Sequence, residues 1–214
     1  MGEAAVLAPP IPEVAGEIFG PAAPKAERYA RLLAGPGVDR GLIGPNEIPR
    51  VWDRHLLNCA VVADLVPRPC SLVDLGSGAG LPGIVLALLL PDVEVTLLEP
   101  MARRAGFLGE CVSELGLGNA RVQRARAEEL SGTLMVDVVT ARAVAPLGRL
   151  ARLAVGLLRP GGIVLAIKGA KAADEVQAAC EALTRLGVQS VEVLLAGSGK
   201  VDPAATVVRL TASQ

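Results

Sequence analysis

Short apolar runs alternate with longer amphipathic stretches from about residue 70 to the end of the chain. Runs rich in Val, Leu and Ile are typical of strands that are buried on both faces of a sheet. They predict strands over 71–75, 93–98, 122–125, 136–140, 163–167, 190–195 and 205–210. Apolar residues at helical spacing predict helices over 82–90, 101–115, 147–158 and 174–186. This alternation, which ends in two consecutive strands, predicts a seven-stranded, mostly parallel, Rossmann-like α/β sheet with one antiparallel strand.

The N-terminal third of the chain has a different pattern. Residues 1–23 are rich in Ala, Pro and Gly, which predicts a loose tail. Helices are expected over 24–33 and 48–66, with a Gly-Pro-Gly break after the first of them. We therefore expect a helical lead-in over 24–68 and a Rossmann-like core over 69–214. A chain of this length can build both into a single domain around one core.

Charge and cysteine usage limit the classes of function. The formal net charge of −1 argues against a non-specific polyanion binder, so any contact with nucleic acid must use a local cationic patch. The four cysteines show no C-x-x-C spacing and there is a single histidine, so no metal site is expected. The N-terminus does not resemble a signal peptide, and the longest apolar run, 81–90, is too short to span a bilayer. We expect a cytoplasmic monomer without membrane contact.

A glycine-rich turn joins the predicted strand over 71–75 to the next helix. Gly76, Gly78 and Gly80 leave bare backbone against which a ligand can lie, and Ser77 and Leu81 belong to the same turn. Residues 78–83 match G-x-G-x-x-G, the dinucleotide fingerprint. Nicotinamide binding is therefore one interpretation of this turn.

Two acids favour a different cofactor. Asp74 stands inside the first buried strand, where a carboxylate is costly unless it is paired. S-adenosylmethionine would supply a sulfonium and an ammonium group as partners, and it has no pyrophosphate that needs a helix N-terminus. Glu99 ends the second strand, where its two oxygens could accept both ribose hydroxyls. The turn and the two acids together favour S-adenosylmethionine.

Polar residues also follow the third, fourth and fifth predicted strands. Arg142 and Lys168 stand at the edge where open α/β sheets bind ligands, although either could be an ordinary surface base. At the end of the third strand, a backbone N–H of Ala127 or Glu128 could donate to an adenine ring nitrogen, while an acid accepts from the exocyclic amine. A solvated helix start is the alternative for this pair.

Four separated motifs together resemble the RsmG (GidB) family over roughly residues 25–210. They are Asp74-Leu-Gly-Ser-Gly-Ala-Gly-Leu-Pro-Gly83, Gly-Leu-Ile-Gly-Pro-Asn-Glu at 41–47, Trp-Asp-Arg-His-Leu-Leu-Asn at 52–58 and Thr-Ala-Arg-Ala at 140–143. The resemblance implies a class I S-adenosylmethionine-dependent methyltransferase that modifies guanine N7 in 16S ribosomal RNA of the small subunit. It also implies that His55 belongs to a cap over the methyl-transfer site and that Ala127 and Glu128 bind adenine.

Methylation at guanine N7 sets modest chemical demands. N7 carries a lone pair and no proton, so the reaction needs alignment and exclusion of water rather than a general base. Arg142 or Lys168 could read guanine O6 and reject adenine, which has an amine there. These two residues and His55 form the predicted catalytic set. The predicted RNA contacts are Arg54, Arg103, Arg104, Arg126 and Lys171.

Two other functions are compatible with parts of this sequence. A nicotinamide oxidoreductase would use the same glycine turn, and a non-catalytic RNA-binding or ribosome-assembly protein could share the fold. Amine methylation is disfavoured because Thr140-Ala-Arg-Ala stands where Asn/Asp-Pro-Pro-Tyr/Phe would be. Methylation at pyrimidine carbon 5 needs a cysteine nucleophile, and Cys70 precedes the first strand, at the wrong side of the sheet.

Overall fold

The computed structural model describes residues 7–213, and a seven-stranded sheet forms its centre. The strands are β1 (Cys70–Leu75), β2 (Val93–Leu98), β3 (Ala120–Gln123), β4 (Val136–Arg142), β5 (Leu158–Lys168), β6 (Val188–Ala196) and β7 (Ala205–Ala212). Their spatial order is β3-β2-β1-β4-β5-β7-β6. Within the described residues, β7 alone runs antiparallel to its neighbours β5 and β6. The predicted sheet is therefore confirmed.

Helices cover both faces of this sheet. They are α1 (Glu13–Phe19), α2 (Ala23–Leu32), α3 (Asn58–Ala60), α4 (Gly83–Leu89), α5 (Ala102–Leu115), α6 (Ala127–Leu130), α7 (Leu147–Val155) and α8 (Ala172–Arg185). The first five pack on the face that carries Leu72, and the last three pack on the face that carries Val73. Adjacent strand residues point to opposite faces, so a strand buried on both faces is a continuous apolar run.

The register of the central strands brings three polar positions to one edge. Asp74 on β1 is level with Leu97 on β2 and Thr140 on β4, and all three strands run parallel. Glu99 follows β2 directly, and Arg142 is the last residue of β4. The strand order changes direction between β1 and β4, which is where open α/β sheets bind ligands.

The lead-in is helical, but it is not the regular helix predicted over 48–66. It consists of 3₁₀ turns at Pro45–Arg50 and Val61–Leu65, a π-helical segment at Val51–Leu57 and the short α3. Five of the seven residues in the π-helical segment are buried, namely Val51, Trp52, His55, Leu56 and Leu57. Tertiary packing, rather than one regular amphipathic stripe, therefore sets the local winding. The predicted break after α2 is also helical, because Leu33–Gly37 continues it as a π turn.

The loose tail predicted for residues 1–23 is wrong from Glu13 onwards, and residues 1–6 lie outside the described part of the chain. Phe19 at the end of α1 meets Trp52 edge-on, with ring centroids 6.4 Å apart. The Trp52 indole N–H donates to the carbonyl of Pro9 at 3.0 Å. An aromatic pair and one hydrogen bond thus hold this segment against the lead-in.

Several boundaries within the core also differ from the prediction, most of all the start of β5, which lies at Leu158 rather than at residue 163. β3 occupies Ala120–Gln123 rather than 122–125, because its pairing with β2 starts at Ala120. α7 ends at Val155 rather than at residue 158, because Leu158 already pairs with Val136. Among the described residues, no helix is long and apolar enough to cross a membrane.

Candidate active site

The glycine turn follows β1, and its backbone is hydrogen-bonded to the end of β2. The N–H groups of Gly76 and Ser77 both donate to the carbonyl of Leu98, at 2.9 and 3.0 Å. Gly76, Gly78 and Gly80 all have positive φ, at +66°, +60° and +98°, which side-chain-bearing residues rarely adopt. The turn therefore needs glycine for its conformation as well as for a ligand.

Tyr29 fixes the far end of this turn. It lies on α2, is fully buried, and its hydroxyl donates to the carbonyl of Ala79 at 2.7 Å. A Cβ at Gly80 would lie 2.8 Å from that hydroxyl and 2.4 Å from Ile84. The lead-in thus holds the turn in place, a contact that the sequence analysis missed because it joins residues 50 positions apart.

Asp74 braces the turn from within. Its side chain has no exposure, and Oδ2 accepts from the Ser77 hydroxyl at 2.6 Å and from the Gly83 N–H at 2.9 Å. Oδ1 has no hydrogen-bond partner within the described residues. Burial raises the pKa of this carboxyl to about 6, against the opposing effect of its hydrogen bonds. The chain itself supplies partners for one oxygen, and the other stays unpaired.

Glu99 is also buried, with 1% of its surface exposed. Oε2 accepts from the Gly78 N–H at 3.0 Å, and Oε1 accepts from the Met101 N–H at 2.9 Å. Arg104 approaches Oε2 at 3.9 Å. Each carboxylate oxygen has a second lone pair, so ribose hydroxyls would join these backbone donors rather than meet a free carboxylate.

Two cavities meet at the crevice. One, of about 370 Å³, is lined by Gly76, Ser77, Gly78, Ala79 and Leu81 of the turn, by Leu42, Ile43 and Gly44, and by Glu47, His55, Arg104, Arg142 and Ala143. The other, of about 670 Å³, lies between Arg54, His55 and Asn58 of the lead-in and residues 142–146, 167–169 and 175 of the core. Both have Glu47, His55, Arg142 and Ala143 in their walls. A group bound in one cavity would therefore face a group bound in the other across these four residues.

The shared wall is a chain of hydrogen bonds. Arg142 Nη2 lies 2.5 Å from His55 Nδ1, and His55 Nε2 lies 3.0 Å from Glu47 Oε2. Arg142 Nη1 donates to the carbonyl of Arg54 at 3.1 Å. Burial, followed by the Arg142 charge, lowers the pKa of His55, and the bond with His55 lowers the pKa of Glu47. Glu47 is thus a site residue that the sequence analysis quoted in a motif without giving it a role.

Lys168 is held away from the wall. Its side chain is 8% exposed, and its ammonium group donates to the carbonyl of Ala145 and to Glu175 Oε2, both at 2.8 Å. Glu175 also accepts from the N–H of Leu147 at 3.0 Å, and the bond with Lys168 lowers the pKa of Glu175. The pair therefore fastens the loop after β4, including Ala143 with its strained φ of +54°, to the start of α8.

Five other predicted site residues lie apart from the two cavities. Ala127 is buried in the core beside α7, Glu128 is exposed, and neither lines either cavity. Arg103, Arg126 and Lys171 are exposed. Arg104 is partly exposed and lines the smaller cavity beside Glu99. Arg54 Nη1 lies 3.8 Å from Glu47 Oε1.

The turn and its surroundings fit S-adenosylmethionine. Bare backbone at positive φ lines a cavity of about 370 Å³, and one buried carboxylate oxygen of Asp74 is unpaired. No cluster of metal-binding side chains occurs among residues 7–213. A larger hollow of about 720 Å³ adjoins α1, the residues before β1 and the end of α4, away from the crevice.

Two solved structures that resemble this fold are methyltransferases. A SAM-dependent O-methyltransferase from Thermotoga maritima matches with a TM-score of 0.57 and 18% identity, over 74% of this chain and 65% of that one. A precorrin-6y C5,15-methyltransferase from Geobacter metallireducens matches with a TM-score of 0.54 and 19% identity, over 80% of this chain and 91% of that one. The sheet order, the glycine turn and these likenesses define the class I S-adenosylmethionine-dependent methyltransferase fold.

Sequence relatives define the family. The model of GidB, rRNA small subunit methyltransferase G, matches residues 22–201. A protein named ribosomal RNA small subunit methyltransferase G from Thermobifida fusca is 57% identical over 199 residues, which cover 93% of this chain and 84% of the relative. A protein of the same name from Streptomyces coelicolor is 56% identical over 211 residues, which cover 98% of this chain and 88% of the relative. The chain belongs to the GidB family, so the resemblance seen in its motifs is confirmed, and neither the oxidoreductase nor the assembly protein is supported.

Proposed function

We infer that this protein transfers a methyl group from S-adenosylmethionine to N7 of a guanine in 16S ribosomal RNA. Family membership supports the reaction. The structural observation that carries it is the pair of cavities that share Glu47, His55, Arg142 and Ala143. The glycine-turn cavity suits the methyl donor, and the second, wider cavity suits a flipped or unpaired base.

The groups at the shared wall suit alignment rather than proton transfer. S-adenosylmethionine supplies an electrophilic methyl group, and guanine N7 has no proton to remove. Both imidazole nitrogens of His55 are engaged, and Glu47 is held by His55. The wall therefore holds and orients the base while the lead-in above it excludes water.

Arg142 is the residue we assign to guanine recognition. Three of its five N–H donors go to Arg54, Cys59 and His55, which leaves two for a base. Those donors match guanine O6 and oppose the amine of adenine. Lys168 is assigned a positioning role instead, because both its contacts are internal and it is nearly buried.

The remaining assignments follow the placement of side chains. The glycine turn and Glu99 hold the donor, and Asp74 shapes the turn and adds negative charge near its cationic end. Ala127 and Glu128 are kept as the adenine contact, which requires the donor to reach beyond the 370 Å³ cavity toward α6. Exposed Arg103, Arg126 and Lys171 are assigned to RNA phosphates, with Arg54 and Arg104 nearer the crevice.

The lead-in and the core act as one domain, since both contribute to the walls of the two cavities. We expect a monomer that works in the cytoplasm on 16S RNA or on the small ribosomal subunit.

Labelled methyl transfer to 16S RNA and to small subunits tests this function. Arg142→Ala is expected to lose transfer by about 100-fold or more while still binding S-adenosylhomocysteine, because the turn is intact. Mapping the labelled nucleotide identifies the base and atom. Transfer by the wild-type protein to any atom other than guanine N7, or undiminished transfer by Arg142→Ala, contradicts the assignment.

A further inference from the structure

Glu47 is linked to Arg142 through His55 by two hydrogen bonds at the shared wall. We propose that Glu47 is a positioning residue for methyl transfer, which holds the Arg142 guanidinium between the two cavities by fixing the orientation of the His55 ring. The proposal rests on the methyltransferase function given above. It extends the site to a carboxylate that needs no contact with donor, base or reacting atoms.

The direction of each hydrogen bond follows from chemistry. An arginine guanidinium only donates, so His55 Nδ1, 2.5 Å from Arg142 Nη2, must be the acceptor and cannot carry a proton. The ring hydrogen is then on Nε2, which donates to Glu47 Oε2 at 3.0 Å. His55 is therefore a neutral imidazole in a single tautomer, with Glu47 on one side and Arg142 on the other.

Glu47 reinforces that tautomer by accepting from Nε2–H. Without an acceptor at Nε2, the ring could carry its hydrogen on Nδ1, where it would meet the N–H donors of Arg142. The guanidinium would then keep only the Arg54 carbonyl and the weak Cys59 thiol contact, at 3.1 and 3.7 Å. Loss of one of its strong anchors frees it to rotate, and a small misplacement at a reacting centre is costly.

The charges around His55 come from two elements. Glu47 and Arg54 lie on the lead-in, and Arg142 lies at the end of β4. Burial and both arginines lower the pKa of His55, whereas Glu47 raises it. His55 is thus neutral at pH 7 and takes up a proton below its ordinary value of 6.5. Protonation removes the acceptor for Arg142, so transfer should fall on the acid side although guanine N7 itself needs no proton removed.

Two substitutions at position 47 separate positioning from packing. Glu47→Ala removes the acceptor, and kcat is expected to fall about 10- to 100-fold with an unchanged affinity for S-adenosylhomocysteine. Glu47→Gln keeps an oxygen that accepts from Nε2–H, so most of kcat at pH 8 should return. Its lost charge should also move the acid limb of the pH profile to lower pH, because Glu47 raises the pKa of His55. Asp53→Ala, which removes an exposed acid of the lead-in, is the matched control.

The single histidine of the chain allows a readout that does not depend on activity. Nitrogen-15 NMR of the imidazole should show hydrogen on Nε2 and none on Nδ1 in the wild type and Glu47→Gln, and a mixture of tautomers in Glu47→Ala. Hydrogen on Nδ1 in the wild type overturns the proposal, as does wild-type kcat in Glu47→Ala. Equal loss of kcat in the Gln and Ala variants also overturns it. Failure of the wild type to methylate 16S RNA, with the expected tautomer present, would instead count against the proposed function.

Discussion

Asp74→Asn should stabilise the protein at neutral pH while weakening its site. The carboxyl is fully buried, and burial raises its pKa from the ordinary 3.8 to about 6. That difference corresponds to about 3 kcal/mol that favours the neutral over the charged group in the folded state. An asparagine oxygen can keep the bonds from Ser77 and Gly83, and its nitrogen would lie level with Thr140 on β4.

The sign of the pH dependence follows from the direction of this pKa. The folded protein holds the Asp74 proton more tightly than the unfolded chain, so this residue's contribution is fully favourable below pH 3.8 and is lost as pH rises through about 6. Asparagine does not titrate. The difference in unfolding free energy between variant and wild type should thus be near zero at pH 4 and up to about 3 kcal/mol in favour of the variant at pH 7.5.

Urea unfolding at the two pH values measures that difference, and it removes contributions from all other titrating groups because they are common to both proteins. Calorimetric titration with S-adenosylhomocysteine on the same samples should show weaker binding to Asp74→Asn, since the negative charge beside the turn is gone. A variant that is less stable than the wild type at pH 7.5 would refute the argument that the burial of this charge outweighs its hydrogen bonds.

Three further changes test the supports of the site. Tyr29→Phe leaves a buried carbonyl of the turn unpaired, and urea unfolding should show a loss of about 1–3 kcal/mol together with weaker binding of S-adenosylhomocysteine. Gly80→Ala forces a Cβ into a φ of +98° and within 2.4 Å of a neighbour, so it should abolish that binding in calorimetric titration. Glu175→Ala leaves the nearly buried Lys168 ammonium without its carboxylate partner, so urea unfolding should show a loss of about 3 kcal/mol. Glu192→Ala, at a solvent-exposed pair, should cost less than about 1 kcal/mol.

The core of the fold and the edge of the site follow from local sequence signals. Buried strands read as apolar runs, and parallel strands bring their carboxyl ends to one edge, so the positions of Asp74, Glu99 and Arg142 could be predicted together. The glycine turn could be predicted because positive φ and close approach both require Gly at 76, 78 and 80. These features depend on spacing within about 30 residues or on a general rule of sheet topology.

The rest depends on contacts that no local signal marks. Glu47 is eight residues from His55, and His55 is 87 residues from Arg142, so the wall between the cavities exists only after the lead-in docks on the core. The π and 3₁₀ winding at Pro45–Leu65 follows from that docking rather than from helix propensity. The sequence predicts that Lys168 faces a ligand at the end of a strand, but its ammonium group pairs with Glu175 in the first turn of α8, and the apolar pattern of that helix does not mark this contact.

The charged residues of the shared wall affect the positive charge that develops on guanine during methyl transfer. Guanine gains a positive charge when N7 accepts a methyl group, and an isolated arginine beside it would oppose that change. Glu47 lies one imidazole away from Arg142, and His55 between them is neutral, so the carboxylate offsets the guanidinium across the ring. Arg54 adds a positive charge, but its side chain is half exposed and therefore screened by solvent. A wall built in this way can donate hydrogen bonds to guanine O6 while Glu47 offsets part of its positive charge, which is a second reason for a carboxylate at position 47.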